Sequence, residues 1–396
     1  MKILVVTTSY PRHPDDAAGS FVAARVAALR AANHTVDVIA AGDPDTSVTA
    51  GANGDVAITR VDHHIAGAPP LFYGAGAPER FDAAPVAAWL AGGAFVARLL
   101  QALRSRLGAD SSHAPPHAPP HVIESHWLVP CALAVVALGW RGSHRAHAHS
   151  GDVARLEAMP GGAFLAARLV AAGATLIFAS ANLRARFAQL VERASGGDTR
   201  LAARVRAAAV EPANSPLCLA PLARLGRAER QWQRAARGLG GPVILGVGRL
   251  VPIKGYDRLV RATARLGADV VPGTRPTLVI LGEGPERARL EAMAARRGID
   301  LLLPGQVAPA VVAEWLALAE VFVHPCRQLP DGRTEGLPVA LREALLAGLP
   351  VVATSSGGIS ELAAPWTGRI KLVIDDPGDA RVYLSALSET LRSSLL

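Results

Sequence analysis

Short apolar runs alternate along this chain with longer Ala/Leu/Arg stretches whose apolar positions recur at helical spacing, a pattern that predicts strands buried under crossover helices. The first run, Lys2–Thr8, precedes a helical stretch over Gly19–Ala31. Asn33, a residue tolerant of the left-handed conformation, then separates that helix from a second run, Thr35–Ala40. These form one βαβ unit, which Val122–Glu124, Arg145–His149 and Thr175–Ala179 extend. A second series begins at Pro242 with Val243–Val247, Thr277–Leu281, Leu301–Leu303, Val321–His324 and Val351–Ala353. The repetition predicts an α/β chain of two facing, doubly wound domains with parallel sheets, binding ligands in a cleft beyond the carboxyl ends of the strands. The expected boundaries are 1–215 for the first domain, 216–241 for a linker, 242–375 for the second domain and 376–396 for a last helix returning toward the first. Pro212, Pro216 and Pro221, an Arg-rich helical stretch to Arg237, and Gly238, Gly240 and Gly241 mark the linker. Ser112–His121, with four prolines, predicts a surface insertion.

A chain of 396 residues, half of them hydrophobic, has material for two cores and is excluded from the disordered class. Cys131, Cys218 and Cys326 are odd in number and far apart, which suits buried packing in a reducing compartment better than a disulfide framework. Arg98 interrupts the apolar run Ala84–Leu100 and Trp127–Trp140 is short, so neither reaches the roughly 18–20 residues of a spanning helix. The opening apolar run is too brief for a signal-peptide core, and a cytoplasmic location is expected. Charge is uneven: residues 1–240 hold 24 Lys and Arg against 17 Asp and Glu, whereas residues 241–396 hold 17 against 16. A basic first half suits an anionic substrate or an anionic membrane surface. Scarce aromatics and the lack of a compact basic run argue against nucleic acid. The apolar stretches Ala83–Leu107 and Ala163–Leu190, each with isolated arginines, can rest on the inner membrane face or serve as core helices.

Candidate chemistry concentrates in the second half. Gly246-Val-Gly248-Arg249 ends a strand, and Lys254-Gly255 follows, so a planar guanidinium and an ammonium can bracket a diphosphate beside the first amides of the next helix. The order Lys-Gly and the spacing exclude a Walker A loop. Further on, Glu335-Gly336-Leu337-Pro338 leads into a helix that Gly348 and Pro350 end, with Glu343 more than a turn inside. Glu335 can accept sugar hydroxyls, Glu343 can take ribose hydroxyls, and the Gly336 and Leu337 amides can face phosphate oxygens. A glycosidase acid/base pair would leave the adjacent cations without a purpose.

This half resembles nucleotide-sugar glycosyltransferases of the GT-B fold, two facing Rossmann-like domains, and most of all the retaining family four (group 1) type. The family's Gly-Arg-Leu…Lys-Gly segment is similar to Gly248–Gly255, its Gly-x-Gly-Pro loop to Gly282–Pro285 with Gly284, and its Leu-x-Gly-x-Val turn to Leu303–Val307. Its Glu, seven residues, Glu signature matches Glu335 and Glu343, and its following Gly-Leu-Pro segment matches Gly348–Gly358. In the first half Ser9-Tyr10-Pro11…Gly19 resembles the loop whose amides meet donor phosphates, with one glycine of the usual pair. Ser125-His126-Trp127 resembles an acceptor-side loop, and His149-Ser150-Gly151-Asp152 a His-Gly-x-Asp loop.

The resemblance implies transfer of a sugar from a UDP- or GDP-linked donor to a glycan or lipid-linked acceptor, with retention, in cell-surface polysaccharide or glycolipid assembly. His149, Arg249, Lys254 and Glu335 are the implied catalytic residues. Gly19, Gly248, Gly284, Val307, Gly336, Leu337 and Glu343 would bind the donor, and His126, Trp127 and Asp152 would border the acceptor. The cations replace a divalent metal in this reading, and no cofactor is expected. His113, His117 and His121 recur every four residues in a proline repeat that cannot form a helix face, and His147 with His149 lacks a carboxylate at zinc spacing, so a metal site is not expected. The alternatives are a sugar-nucleotide epimerase of the same fold and a sugar-nucleotide-binding protein without catalysis. A nicotinamide-dependent dehydrogenase lacks its fingerprint here.

Overall fold

The computed structural model describes residues 1–13, 16–42, 56–65, 71–73, 77, 80–81, 85–108, 119–194, 196, 199–212, 224–266, 275–330, 332–373 and 380–395. The chain divides into two compact units, residues 1–14 with 18–213 in the first and residues 15–17 with 214–396 in the second.

In the first unit the strands are β1 (Lys2–Thr7), β2 (Thr35–Ala41), β3 (Ile58–Val61), β4 (Val122–His126), β5 (Ser143–Ala148), β6 (Thr175–Phe178) and β7 (Ala209–Val210). They form one parallel sheet in the order β3-β2-β1-β4-β5-β6-β7. In the second unit β8 (Val243–Val247), β9 (Thr277–Leu281), β10 (Asp300–Gly305), β11 (Val321–His324), β12 (Val351–Thr354) and β13 (Ile370–Val373) form a second parallel sheet, ordered β10-β9-β8-β11-β12-β13.

Both sheets are covered on both faces, which is why their central strands read as continuous apolar runs. In the second sheet Ile244, Leu278, Ile280 and Val323 enter one core, while Val243, Leu245, Val279 and Phe322 enter the other. The first sheet divides in the same way, with Leu4, Val6 and Ile39 on one side and Ile3, Val5 and Val38 on the other. Asn33 takes φ 60°, as its position between helix and strand leads one to expect. Cys131 and Cys326 are buried thiols outside any disulfide, and Cys218 lies outside the described residues, as do His113 and His117.

Three expectations change. The helical stretch read as the end of the linker, Arg227–Ala236, is not a free connector but is fastened to the second unit. Its buried Arg230 and Arg234 both reach the carboxylate of Glu320, which also accepts the Val243 amide at 2.8 Å. The last helix, Ala380–Leu395, expected to return toward the first domain, lays Tyr383, Leu387 and Leu391 into the second unit's core beside Leu259 and Val352. Its apolar spacing of four residues matches that surface, so the stripe is satisfied where it lies. The helix Pro85–Leu107 has 23 residues and is by length and composition long enough to cross a membrane, because Arg98 is the one charge before Arg104 and Arg106 in its last turn. Phe95, Leu99 and Leu103 along one face are nevertheless fully buried against the first sheet.

Candidate functional site

At the carboxyl end of the first sheet the loops after β1, β4 and β5 carry the candidate side chains. Gly19 precedes the helix Ser20–Ala31 at φ 70°, and a Cβ there would stand 2.4 Å from the Ser9 carbonyl oxygen. Only glycine fits, so the helix's first amides stay open beside the Ser9–Tyr10 turn. Arg60 holds that turn by donating to the Tyr10 carbonyl at 3.0 Å and to that of Pro11 at 2.5 Å.

His149 follows β5, and its ring lies 4.9 Å from those of Phe21 and Trp127. Burial, then the neighbouring His147 charge, pushes its pKa down to about 3, so its ring is neutral. The Trp127 backbone takes φ 77°, a sparsely populated conformation for a bulky residue. It is fixed from both sides: the Trp127 amide donates to the His147 carbonyl at 3.0 Å, and the Leu128 amide to Asp152 at 2.7 Å.

Asp152, read as an acceptor-side group, spends both carboxylate oxygens on the amides of Leu128, His149 and Val153. It is buried and ties the β4 and β5 loops together. Burial pushes its carboxyl up to about 7, against the three amide bonds that favour the charged form. The absence of a carboxylate near His147, on which the metal expectation rested, is also corrected. Glu124, two residues before His126 on β4, lies 3.0 Å from His147 Nε2. Glu124, His126 and His147 bring ligand atoms within 4.8 Å of one another, an arrangement that could hold an ion. Arg25, however, already donates to both Glu124 oxygens, at 2.6 and 3.3 Å.

In the second unit the loops after β8, β9 and β10 are stitched together. Gly248 donates to the Leu281 carbonyl, Leu250 to that of Glu283, and Gly282 to that of Gly305, at 2.8–2.9 Å. Gly284 lets this happen, since a Cβ there would meet the Leu250 carbonyl oxygen at 2.4 Å. Val307 follows, packed against the core.

Arg249 stands at the strand end, and Lys254 at the end of the 3-10 turn Pro252–Lys254. Lys254 Nζ lies 2.8 Å from Glu335 Oε2, with side chains 12% and 19% exposed. Burial favours the neutral acid at Glu335, but the charges of Lys254, His324 and Arg249 outweigh it and hold the carboxyl at about 2. Gly336 and Leu337 come next, Pro338 caps the helix Val339–Leu346, and Glu343 is buried within it.

Two neighbours escaped the sequence reading. His324 ends β11 fully buried, with neither ring nitrogen hydrogen-bonded, and burial and the Lys254 charge push it down to about 3. The Tyr256 hydroxyl, also buried and unbonded, lies under Gly248, where a Cβ would come within 3.0 Å. Both sat inside apolar strand or helix patterns that gave no sign of a polar role.

The second unit thus offers two cations, a carboxylate held charged and a helix start at one set of strand ends, a combination suited to a diphosphate flanked by hydroxyl-bearing groups. Residues 229–394 match the family described as glycosyl transferases group 1. A GDP-mannose-dependent alpha-(1-6)-phosphatidylinositol monomannoside mannosyltransferase of Mycolicibacterium smegmatis is 38% identical over 154 residues, covering 37% of this chain and 38% of the relative. A 2-deoxystreptamine glucosyltransferase of Streptomyces kanamyceticus is 35% identical over 172 residues, 38% of this chain and 41% of the relative. The aligned part is therefore about two fifths of the length of these curated relatives. Over the whole chain the fold is similar to Anabaena HepE in complex with UDP (TM-score 0.63, 18% identity, 90% of that chain). It is likewise similar to WaaG, a glycosyltransferase involved in lipopolysaccharide biosynthesis (TM-score 0.62, 16% identity, 99% of this chain and 90% of that one). Residues 229–394 thus match the glycosyl transferases group 1 family model, on a chain whose fold is that of GT-B proteins.

Proposed function

We propose that this protein transfers a hexosyl group, with retention, from a nucleoside diphosphate sugar to a glycan or lipid-linked acceptor. The observation that carries this reading is the Lys254–Glu335 pair at 2.8 Å, set beside Arg249 at the start of a helix in the family-matched segment. Breaking the anomeric bond puts growing negative charge on the departing diphosphate. Arg249, Lys254 and the Gly336 and Leu337 amides would receive that charge already in place, and a preorganised donor of this kind is worth about 3–4 kcal/mol in the transition state. These groups take the part a divalent metal plays elsewhere. Glu335 would accept sugar hydroxyls, Glu343 the ribose hydroxyls, and His149 would contact the transferred sugar. Val307 and Gly284 would shape the nucleotide side, and His126 and Trp127 would border the acceptor.

Relatives described as GDP-mannose-dependent support a guanine nucleotide donor, with UDP as the competitor. Acceptors in lipid assembly fit a protein that works in the cytoplasm and visits the inner membrane face. Val86, Trp89 and Leu90, 73%, 53% and 59% exposed at one end of the Pro85–Leu107 helix, would touch the lipid, and the basic first half would favour anionic headgroups.

The test is a thermal-shift screen against GDP, UDP and ADP and their sugars, followed by turnover with and without acceptor. Stabilisation by one nucleoside diphosphate and slow donor hydrolysis are expected, with a loss of about 10²–10³ in turnover for Lys254→Ala or Glu335→Ala. Near wild-type turnover in either variant, conversion of donor into another sugar nucleotide, or donor binding with neither transfer nor hydrolysis would overturn the reading.

A further inference from the structure

Beneath His149 lies a group of buried polar side chains, of which the proposed transfer uses only His126, at the acceptor border. β4 and β5 are adjacent and parallel, with Glu124 opposite Arg145 and His126 opposite His147. Alternate strand residues share a face, so Glu124 and His126 from one strand and His147 from the other point the same way, and His149 follows just past the end of β5. The three imidazoles are nearly parallel: His126 is 4.5 Å from His147 and 5.3 Å from His149 between ring centres, with interplanar angles of 11°.

Glu124 is the buried charge of the group. Burial works against it, but hydrogen bonds and charges from His147 and Arg25 hold its carboxyl at about 2, so it is an anion. Arg145 Nη1 adds a cation 3.9 Å from Oε2. His126 Nε2 lies 3.9 Å from Glu124 Oε1, beyond hydrogen-bond reach but within range of the carboxylate's field. On the other side of the same ring, Nδ1 is 3.1 Å from His149 Nε2.

Burial pushes both His126 and His149 well below the ordinary range of histidine, so each ring is neutral and holds one proton. That single proton makes the two rings interdependent. The Glu124 carboxylate favours a proton on His126 Nε2, which leaves Nδ1 a lone pair. The 3.1 Å contact then requires His149 Nε2–H as donor, and His149 Nδ1 is left bare.

We propose that Glu124 and His126 are positioning residues that fix His149 in the tautomer protonated at Nε2, so that its bare Nδ1 accepts a hydrogen bond from a hydroxyl of the transferred sugar. The last clause rests on the glycosyl-transfer reading, whereas the tautomer does not. A metal ion in the same cluster is the rival use of these groups. It is disfavoured because Arg25 already occupies both Glu124 oxygens, and because parallel rings send their lone pairs side by side instead of toward one point.

The experiment is nitrogen NMR of the whole protein labelled with 15N at histidine, free of donor, reading which nitrogen of His149 carries the proton. Wild type should show Nε2–H and a bare Nδ1. Glu124→Gln should let the opposite tautomer appear. His126→Asn, whose amide oxygen can still accept, should keep Nε2–H, and His126→Phe should lose it. In transfer assays the Phe variant should lose about 10- to 100-fold in kcat at near-normal donor KM, and the Asn variant should recover part of that loss. A proton on His149 Nδ1 in wild type, or a stoichiometric zinc ion held by His126 and His147 in the purified protein, would overturn the assignment. A protein with the expected tautomer but no transferase activity would overturn the transfer reading and leave the tautomer standing.

Discussion

The pair Lys254–Glu335 joins residues from two loops of the second unit, and its strength can be approached by two routes. At 2.8 Å, Coulomb attraction with an effective dielectric of about 20 is about 6 kcal/mol, from which the cost of removing both charges from water is subtracted. Independently, the Glu335 carboxyl is held at about 2 instead of 4.5. At about 1.4 kcal/mol per pH unit this corresponds to about 3 kcal/mol, shared among Lys254, His324 and Arg249. A coupling of about 2–3 kcal/mol between the two residues is therefore expected from a double-mutant cycle of Lys254→Met, Glu335→Gln and the double variant, measured by urea unfolding at pH 7. Lys254→Met should be the costlier single change, because it leaves a half-buried carboxylate with its main partner gone. The sign of the pH effect follows from the lowered pKa. The stability due to Glu335 is present above about pH 4.5 and disappears as pH falls toward 2, so wild type should lose its advantage over Glu335→Gln in that window. A coupling below about 0.5 kcal/mol, or parallel acid limbs for these two proteins, would refute the reasoning.

Glu320→Ala should cost about 3–5 kcal/mol by urea titration, since it strands Arg230 and Arg234 in the interior; little change would mean that water reaches both. The depressed His126, His144, His149 and His324 stay neutral in the native state while the unfolded chain takes up their protons below about pH 6.5. The raised Asp152 opposes them with one native-state proton, so stability should fall by roughly 4 kcal/mol per pH unit as pH drops from 6 to 5; a flat profile from pH 7 to 5 would contradict the burial of these rings. Gly19→Val should displace the Ser9–Tyr10 turn and weaken nucleoside diphosphate sugar binding at least about tenfold by calorimetry, and unchanged affinity would remove that loop from the donor site. Trp89→Glu should reduce sedimentation with anionic lipid vesicles severalfold while leaving the melting temperature near wild type, and undiminished sedimentation would exclude that helix end from membrane contact.

The central strands were legible because a strand buried on both faces leaves an unbroken apolar run, and Val243–Val247, Thr277–Leu281 and Val321–His324 coincide with their observed bounds. The positions of Arg249, Lys254, Glu335 and Glu343 were legible too, because glycines and prolines punctuate the loops and helix ends that hold them. β3, β7 and β13 were not: they lie at sheet margins, where Ile58–Val61 and Ile370–Val373 need only partial burial and carry polar residues. What only the tertiary structure decided is which distant charges meet. Glu124 meets Arg25 across 99 positions, Glu320 meets Arg230 across 90, and Lys254 reaches Glu335. A carboxylate's local sequence does not record whether its partner is a guanidinium or water, since that depends on which strands become neighbours. For the same reason Asp152 resembled a binding residue in its motif, yet its oxygens are spent on three backbone amides that only the folded loops bring within reach.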